Sequence, residues 1–121
     1  MKNKITTIVI LTILLFSVAA CKKNATNPTS SLDCSNIPAS FANDVVPIIN
    51  NACVSCHNSG YAYGDFTSYL GIKVKIDNGS FKSRTIDQKS MPPSNSSGPT
   101  SLTSSELNIL SCWIEAGAPE N

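Results

Sequence analysis

Imidazole is what this sequence has least of: a single histidine, His57, in 121 residues. One histidine excludes any site that needs two imidazoles from one chain, such as a multi-histidine metal centre or a bis-imidazole ligand pair. Methionine is nearly as scarce, with Met1 and Met91 only. An excess of one charge is missing too. The 9 basic residues stand against 8 acidic ones, which leaves no electrostatic argument for a nucleic-acid partner. There is no internal repeat. The one extended apolar stretch, residues 5–19, follows a basic start (Lys2, Lys4) and is broken only by Thr and Ser. It is too short and wrongly flanked for a typical membrane span, and has the layout of an export signal over residues 1–20.

Cysteine, by contrast, is well represented: Cys21, Cys34, Cys53, Cys56 and Cys112. Val18-Ala19-Ala20-Cys21 resembles the lipobox of bacterial lipoproteins. The resemblance implies cleavage before Cys21 and lipid on that residue, with more than one acyl chain making a stable bilayer anchor. The alternative is an ordinary cleavable signal with an incidental cysteine. Without residues 1–20 the chain keeps 7 basic and 8 acidic residues, a net charge near −1. Lys22 after the lipidated position resembles lipoproteins of the outer membrane. Residues 21–32 are polar and short of large apolar side chains, so they read as a flexible tether. The folded domain is expected over 33–121, a length at which a protein-only core is marginal.

Cys53-Val54-Ser55-Cys56-His57 is the motif around which the remaining residues are read. A Cys-x-x-Cys-His run is the attachment signature of c-type haem. Two thiols add to the porphyrin vinyl groups and the adjacent imidazole is offered to the iron. Met91, 34 residues after His57, is the one remaining soft ligand, and Pro92 and Pro93 are expected to hold its backbone extended. Its alternative is a gap-filling core methionine. Cys34 and Cys112 are left over. In an oxidising compartment such a pair tends to form a disulfide; otherwise they are two separately buried thiols.

Periodicity predicts helices on either side of this motif. Phe41, Val45, Ile48, Ile49 and Ala52 share one helical face running into Cys53. A cap at Asn43 or Asp44 places Pro47 harmlessly in the first turn, whereas a cap at Ser40 makes Pro47 a kink; the later start is favoured. Thr67 or Asp65 is expected to cap a second helix with Tyr69, Ile72 and Ile76 on one face, ending at Asn78-Gly79. A short strand over 73–76 is the rival. Residues 81–90 show no regular pattern. The last helix is the best specified, with a Thr103/Glu106 capping box, a Leu102/Leu107 staple, an apolar face of Leu107, Leu110, Trp113 and Ile114, and a stop at Gly117.

Taken in order, Phe41…Val45-x-Pro47-Ile48-Ile49…Cys53-x-x-Cys56-His57, Met91-Pro92-Pro93 and Leu102-Thr103-x-x-Glu106…Leu110-x-x-Trp113-Ile114-x-x-Gly117-Ala118 resemble the class I cytochrome c superfamily, in its small single-domain, monohaem lipoprotein form. The resemblance implies an all-α fold of roughly three to five short helices around one covalently attached haem c. It also implies that the first and last helices cross, with Val45 and Ile49 against Leu110 and Trp113. It assigns the thioethers to Cys53 and Cys56, the proximal iron ligand to His57 and the distal one to Met91. The implied function is electron carriage rather than enzymatic catalysis, between redox partner proteins, in an exported, lipid-anchored and periplasmic setting.

One departure from the family is that no proline lies between His57 and Met91 to supply the carbonyl that orients the imidazole. Arg84, Tyr61, Tyr63, Tyr69 and Trp113 are candidate partners of the haem propionates, each with the plainer alternative of a surface cation or a packed aromatic. Two rival functions remain at this level. A haem enzyme or gas sensor needs an open sixth position. A non-haem Cys/His metal site needs a fourth ligand beside Cys53, Cys56 and His57, for which Cys34 and Cys112 are the sulfurs on offer.

Overall fold

The structure, a computed structural model, describes residues 32–121. The expected signal over 1–20, the lipid site at Cys21 and the tether as far as residue 31 lie outside the described residues. Every regular element among the described residues is helical. None is long and apolar enough to cross a membrane.

A single 3₁₀ turn, Cys34–Asn36, opens the domain and is capped by the Asp33 carboxylate, which accepts from the Ser35 amide. The first helix, α1, has two parts: a π-helical opening, Phe41–Val45, and an α-helical continuation, Val46–Ala52. Its start corrects the expectation of a cap at Asn43 or Asp44. Ser40 is the cap: its hydroxyl accepts from the Asn43 amide, and the Asp44 carboxylate accepts from the Ser40 amide. Pro47 nevertheless does no damage. The wide opening turn makes the Val45 amide donate to the Ser40 carbonyl. The α-helical register then restarts at Val46, so Pro47 sits at its beginning, where no N–H is needed.

The second helix, α2 (Tyr69–Asp77), is capped by Ser68, whose hydroxyl accepts from the Gly71 amide. That corrects the assignment of Thr67 or Asp65. Asp65 instead accepts from the amide and hydroxyl of Thr67 and shapes the turn before the helix. The strand alternative over 73–76 is overturned: Ile72 must face the core while Leu70 and Val74 lie exposed, a helical rather than an alternating pattern. Gly71 is obligatory, because a Cβ there would stand 1.7 Å from the Asp65 carbonyl oxygen.

Residues 81–90, without pattern in the sequence, contain most of a third helix. This helix, α3, starts as Ser80–Lys82 and widens into a π-helical turn, Ser83–Asp87. Burial of Phe81 and Thr85 holds it down. The last helix, α4 (Ser104–Glu115), has the expected capping box in full. It ends as expected too, with Gly117 at φ +90° and the Ala118 amide donating to the Trp113 carbonyl.

The opening of α1 packs against α4, as does the π-helical part of α3. Val45, Leu110 and Trp113 at 0% exposure and Ile49 at 1% are the centre of one core. Phe41 joins it by lying between Trp113, stacked at 5.5 Å, and Tyr69, edge-on at 5.1 Å. The C-terminal segment closes over this cluster. The Tyr69 hydroxyl donates to the Ala118 carbonyl and the Trp113 indole N–H to the Pro119 carbonyl, both at 2.9 Å. Asn121 accepts from the Phe41 and Ala42 amides at the head of α1. Cys34 and Cys112 are joined as a disulfide, which ties the start of the domain to α4.

Candidate functional site

The end of α1 delivers the cysteine–histidine motif. The Cys53 and Val54 amides both donate to the Ile49 carbonyl, and the helix stops there. The Cys56 and His57 amides then converge on the Cys53 carbonyl at 3.1 and 2.9 Å. This tight turn gathers both thiols and the imidazole onto one wall of a cavity of about 540 Å³. The Asn58 side-chain amide donates to the Val54 carbonyl and braces the turn from outside.

Met91 reaches the same cavity by a different route. The amides of Ser90 and Met91 both donate to the Arg84 carbonyl, so the chain leaving α3 is folded back against its own last turn. The Met91–Pro92 peptide that follows is cis. Cys53, Cys56 and His57 on one turn, and Met91 far along the chain, therefore line one space. Ala52, Phe66, Phe81, Pro92 and Leu102 make its walls predominantly apolar, and Lys75 and Arg84 supply cations.

Electrostatics here follow from burial. Burial first, and the Glu106 carboxylate second, push the Cys53 thiol up from 9.0 to about 11. It is a protonated thiol at neutral pH, unlike the lowered thiols of thiol–disulfide exchange. Burial also lowers the His57 pKa; the carbonyls of Tyr63 and Gly64 oppose this, and Lys75 adds to it. The imidazole is thus neutral near pH 7, with a lone pair free to bind a metal. Its Nδ1 is buried and has no hydrogen-bond partner, so those two carbonyls draw on the ring without completing a bond to that atom. Phe66 lies parallel to the imidazole at 4.3 Å.

The five candidate polar partners separate. Tyr61, Tyr63 and Arg84 line the cavity. Tyr69 and Trp113 do not: their polar atoms are committed to the C-terminal carbonyls and they are core aromatics. Lys75, Gly64, Phe66 and Phe81 had no signal in the sequence beyond their residue types. The non-haem metal alternative loses its fourth ligand, since Cys34 and Cys112 are bonded to each other. Among the described residues no three His, Cys, Asp or Glu side chains are grouped to hold a metal ion. Compared with family models, with curated proteins and with solved structures, the chain matches none of them.

Proposed function

We propose that this chain is a monohaem c-type cytochrome, an electron carrier with the class I cytochrome c arrangement of helices around its haem. The observation that carries the reading is the convergence of Cys53, Cys56, His57 and Met91 on one apolar-walled cavity. The residues present fit the group. Two unbonded cysteines stand on the wall beside a neutral imidazole. A thioether comes from another segment, and Lys75 and Arg84 are cations on the same lining, of the charge that carboxylates require. A cavity of this size is within the range that encloses a cofactor.

Haem, when bound, supplies a one-electron Fe(III)/Fe(II) couple. The chain's own part is to hold and tune it. Cys53 and Cys56 would hold it covalently through thioethers. His57 would offer its lone pair to the iron. Met91 would offer a soft thioether, of the kind that favours Fe(II) and raises the potential. The apolar walls would keep water away from the group and lower the local dielectric. Nothing in this assignment requires a substrate, and its partners are redox proteins. The export signal would deliver the domain and be removed, and the acylated Cys21 would hold it at a bacterial membrane on the periplasmic side.

Expression of the whole chain in a host that attaches c-type haem tests the reading. The expected product keeps its haem under denaturing conditions, loses it in the double substitution Cys53→Ser with Cys56→Ser, and shows a weak far-red absorption in the ferric state that vanishes in Met91→Ala. Haem that washes out of the wild type rejects the proposal. A ferric spectrum untouched by Met91→Ala removes Met91 from the iron.

A further inference from the structure

Members of the family this chain resembles often supply a proline carbonyl to orient the ligand imidazole, and this chain has no proline between His57 and Met91. Metal-bound histidines ordinarily keep their plane by donating the second ring nitrogen to a fixed acceptor. Here that nitrogen, Nδ1, is buried without a hydrogen-bond partner. The Tyr63 and Gly64 carbonyls act on the ring without completing a bond to that atom, which leaves ring packing as the contact that can fix its plane.

We propose that Phe66 is the positioning residue that fixes the plane of the His57 imidazole as an iron ligand. The inference rests on the carrier reading above. The two rings are 8° from parallel with centroids 4.3 Å apart. At that separation the imidazole cannot turn about its Cβ–Cγ bond without driving an edge into the phenyl face. The phenyl ring is itself immobilised: it is buried in the core and packs on Phe81 at 5.9 Å. The backbones are tied as well, since the Phe66 amide donates to the His57 carbonyl at 2.8 Å. The loop between them thus returns the phenyl ring to the imidazole it left.

Gly64 makes that return possible. Its φ of +110° is one that L side chains rarely adopt, and a Cβ there would stand 2.9 Å from Lys75 Cε and 3.6 Å from Phe66 Cε1. A Cβ at this position pushes aside only the end of the Lys75 side chain and meets the phenyl ring in ordinary contact, so it is the backbone conformation that calls for glycine. The carbonyls of Tyr63 and Gly64 face the imidazole from the same turn. One short loop therefore carries the stacking ring and the acceptors nearest to the imidazole.

The orientation of an axial imidazole governs the rhombicity of a low-spin ferric signal and the spread of the haem methyl proton shifts, so both read the plane directly. The test compares the wild-type holoprotein with Phe66→Leu, which keeps apolar bulk without a flat face, and Phe66→Tyr, which restores the face. The samples are matched for covalently bound haem. The expected result is a shifted or broadened electron-paramagnetic signal and an altered methyl pattern in Phe66→Leu, with Phe66→Tyr returning both to wild type. Superimposable spectra for wild type and Phe66→Leu overturn the inference while leaving the carrier reading intact.

If Phe66→Leu does not accumulate, proton–proton contacts between the Phe66 and His57 rings in the wild-type holoprotein decide the matter. Their presence supports the stack and their absence overturns it. A failure of the carrier reading has a different signature: the wild type carries no covalent haem, or His57→Ala leaves the iron spectrum unchanged. Either one removes both proposals.

Discussion

Two aromatic trios divide the molecule. Tyr69, Phe41 and Trp113 form one, His57, Phe66 and Phe81 the other. In the first, each polar handle is answered: the Tyr69 hydroxyl and the Trp113 indole each reach a carbonyl of the C-terminal segment. In the second, His57 Nδ1 is buried and unpartnered, and the rings border a cavity of about 540 Å³. The difference separates two uses of the same residue types. Rings enclosed by protein contribute their burial to folding. Phe66 and Phe81 are buried in the core as well, and only the part of their surface that borders the cavity is left to be covered by a ligand.

The strongest way to break this comparison is Trp113→Ala, on the enclosed side. It deletes a fully buried ring, with its hydrogen bond, and is expected to lower the unfolding free energy by about 4–5 kcal/mol in a denaturant titration. A loss below about 1 kcal/mol would remove the enclosed trio as the source of stability. Removing the disulfide, by Cys34→Ser with Cys112→Ser, comes next. The bond closes a sequence separation of 78 residues, which by chain entropy stabilises by about 4 kcal/mol. The same titration, with the m-value checked, measures it.

The third prediction is on the cavity side and concerns reactivity. In haem-free Cys56→Ser protein, Cys53 titrates near 11 rather than 9.0. Its thiolate is therefore about a hundredfold scarcer below pH 9, equivalent to about 2.7 kcal/mol. Alkylation should be slow at pH 8 and climb tenfold per pH unit toward 11. Labelling at pH 8 as fast as an unfolded thiol would contradict the burial assigned to Cys53. Thr103→Ala follows, with an expected loss of about 1 kcal/mol from an N-cap whose hydroxyl accepts from the Glu106 amide. The smallest effect is expected at Tyr63, 72% exposed at the cavity rim. Tyr63→Ser should shift stability by no more than about 0.5 kcal/mol, and a larger loss would show that the rim, too, supports the fold.

How far the sequence could be read depended on how local the deciding interaction was. The start of α4 was fully readable, because its cap, its acid and its first amides lie within four residues. The apolar face of α1 was readable, but its start was not. A rule that places Pro47 in the first turn moved the cap to Asn43 or Asp44, whereas the chain keeps Ser40 as cap and widens the opening turn instead. Helix α3 was invisible since Ser80-Phe81-Lys82-Ser83-Arg84-Thr85 has no repeating apolar face; Phe81 and Thr85 are buried by neighbours distant in sequence. At the site, the Cys-x-x-Cys-His run and Met91 came from residue types and spacing. Phe66 did not, since nothing around a phenylalanine nine residues after a histidine says that the two rings lie parallel.

What the sequence by itself determined is therefore which reactive groups are on offer and their local scaffolding: two thiols and an imidazole on one turn, one methionine thioether beyond them, and the caps that start and stop the last helix. These depend on spacings of three to five residues, over which backbone hydrogen bonds and side-chain reach are nearly independent of the rest of the chain. Only the tertiary structure decided that Met91 shares a cavity with His57, that Tyr69 and Trp113 belong to the core while Tyr61, Tyr63 and Arg84 border the site, and that Phe66 lies on the imidazole. Each of those outcomes depends on which surfaces are left to pack once the helices have met, and that is a property of the closed chain.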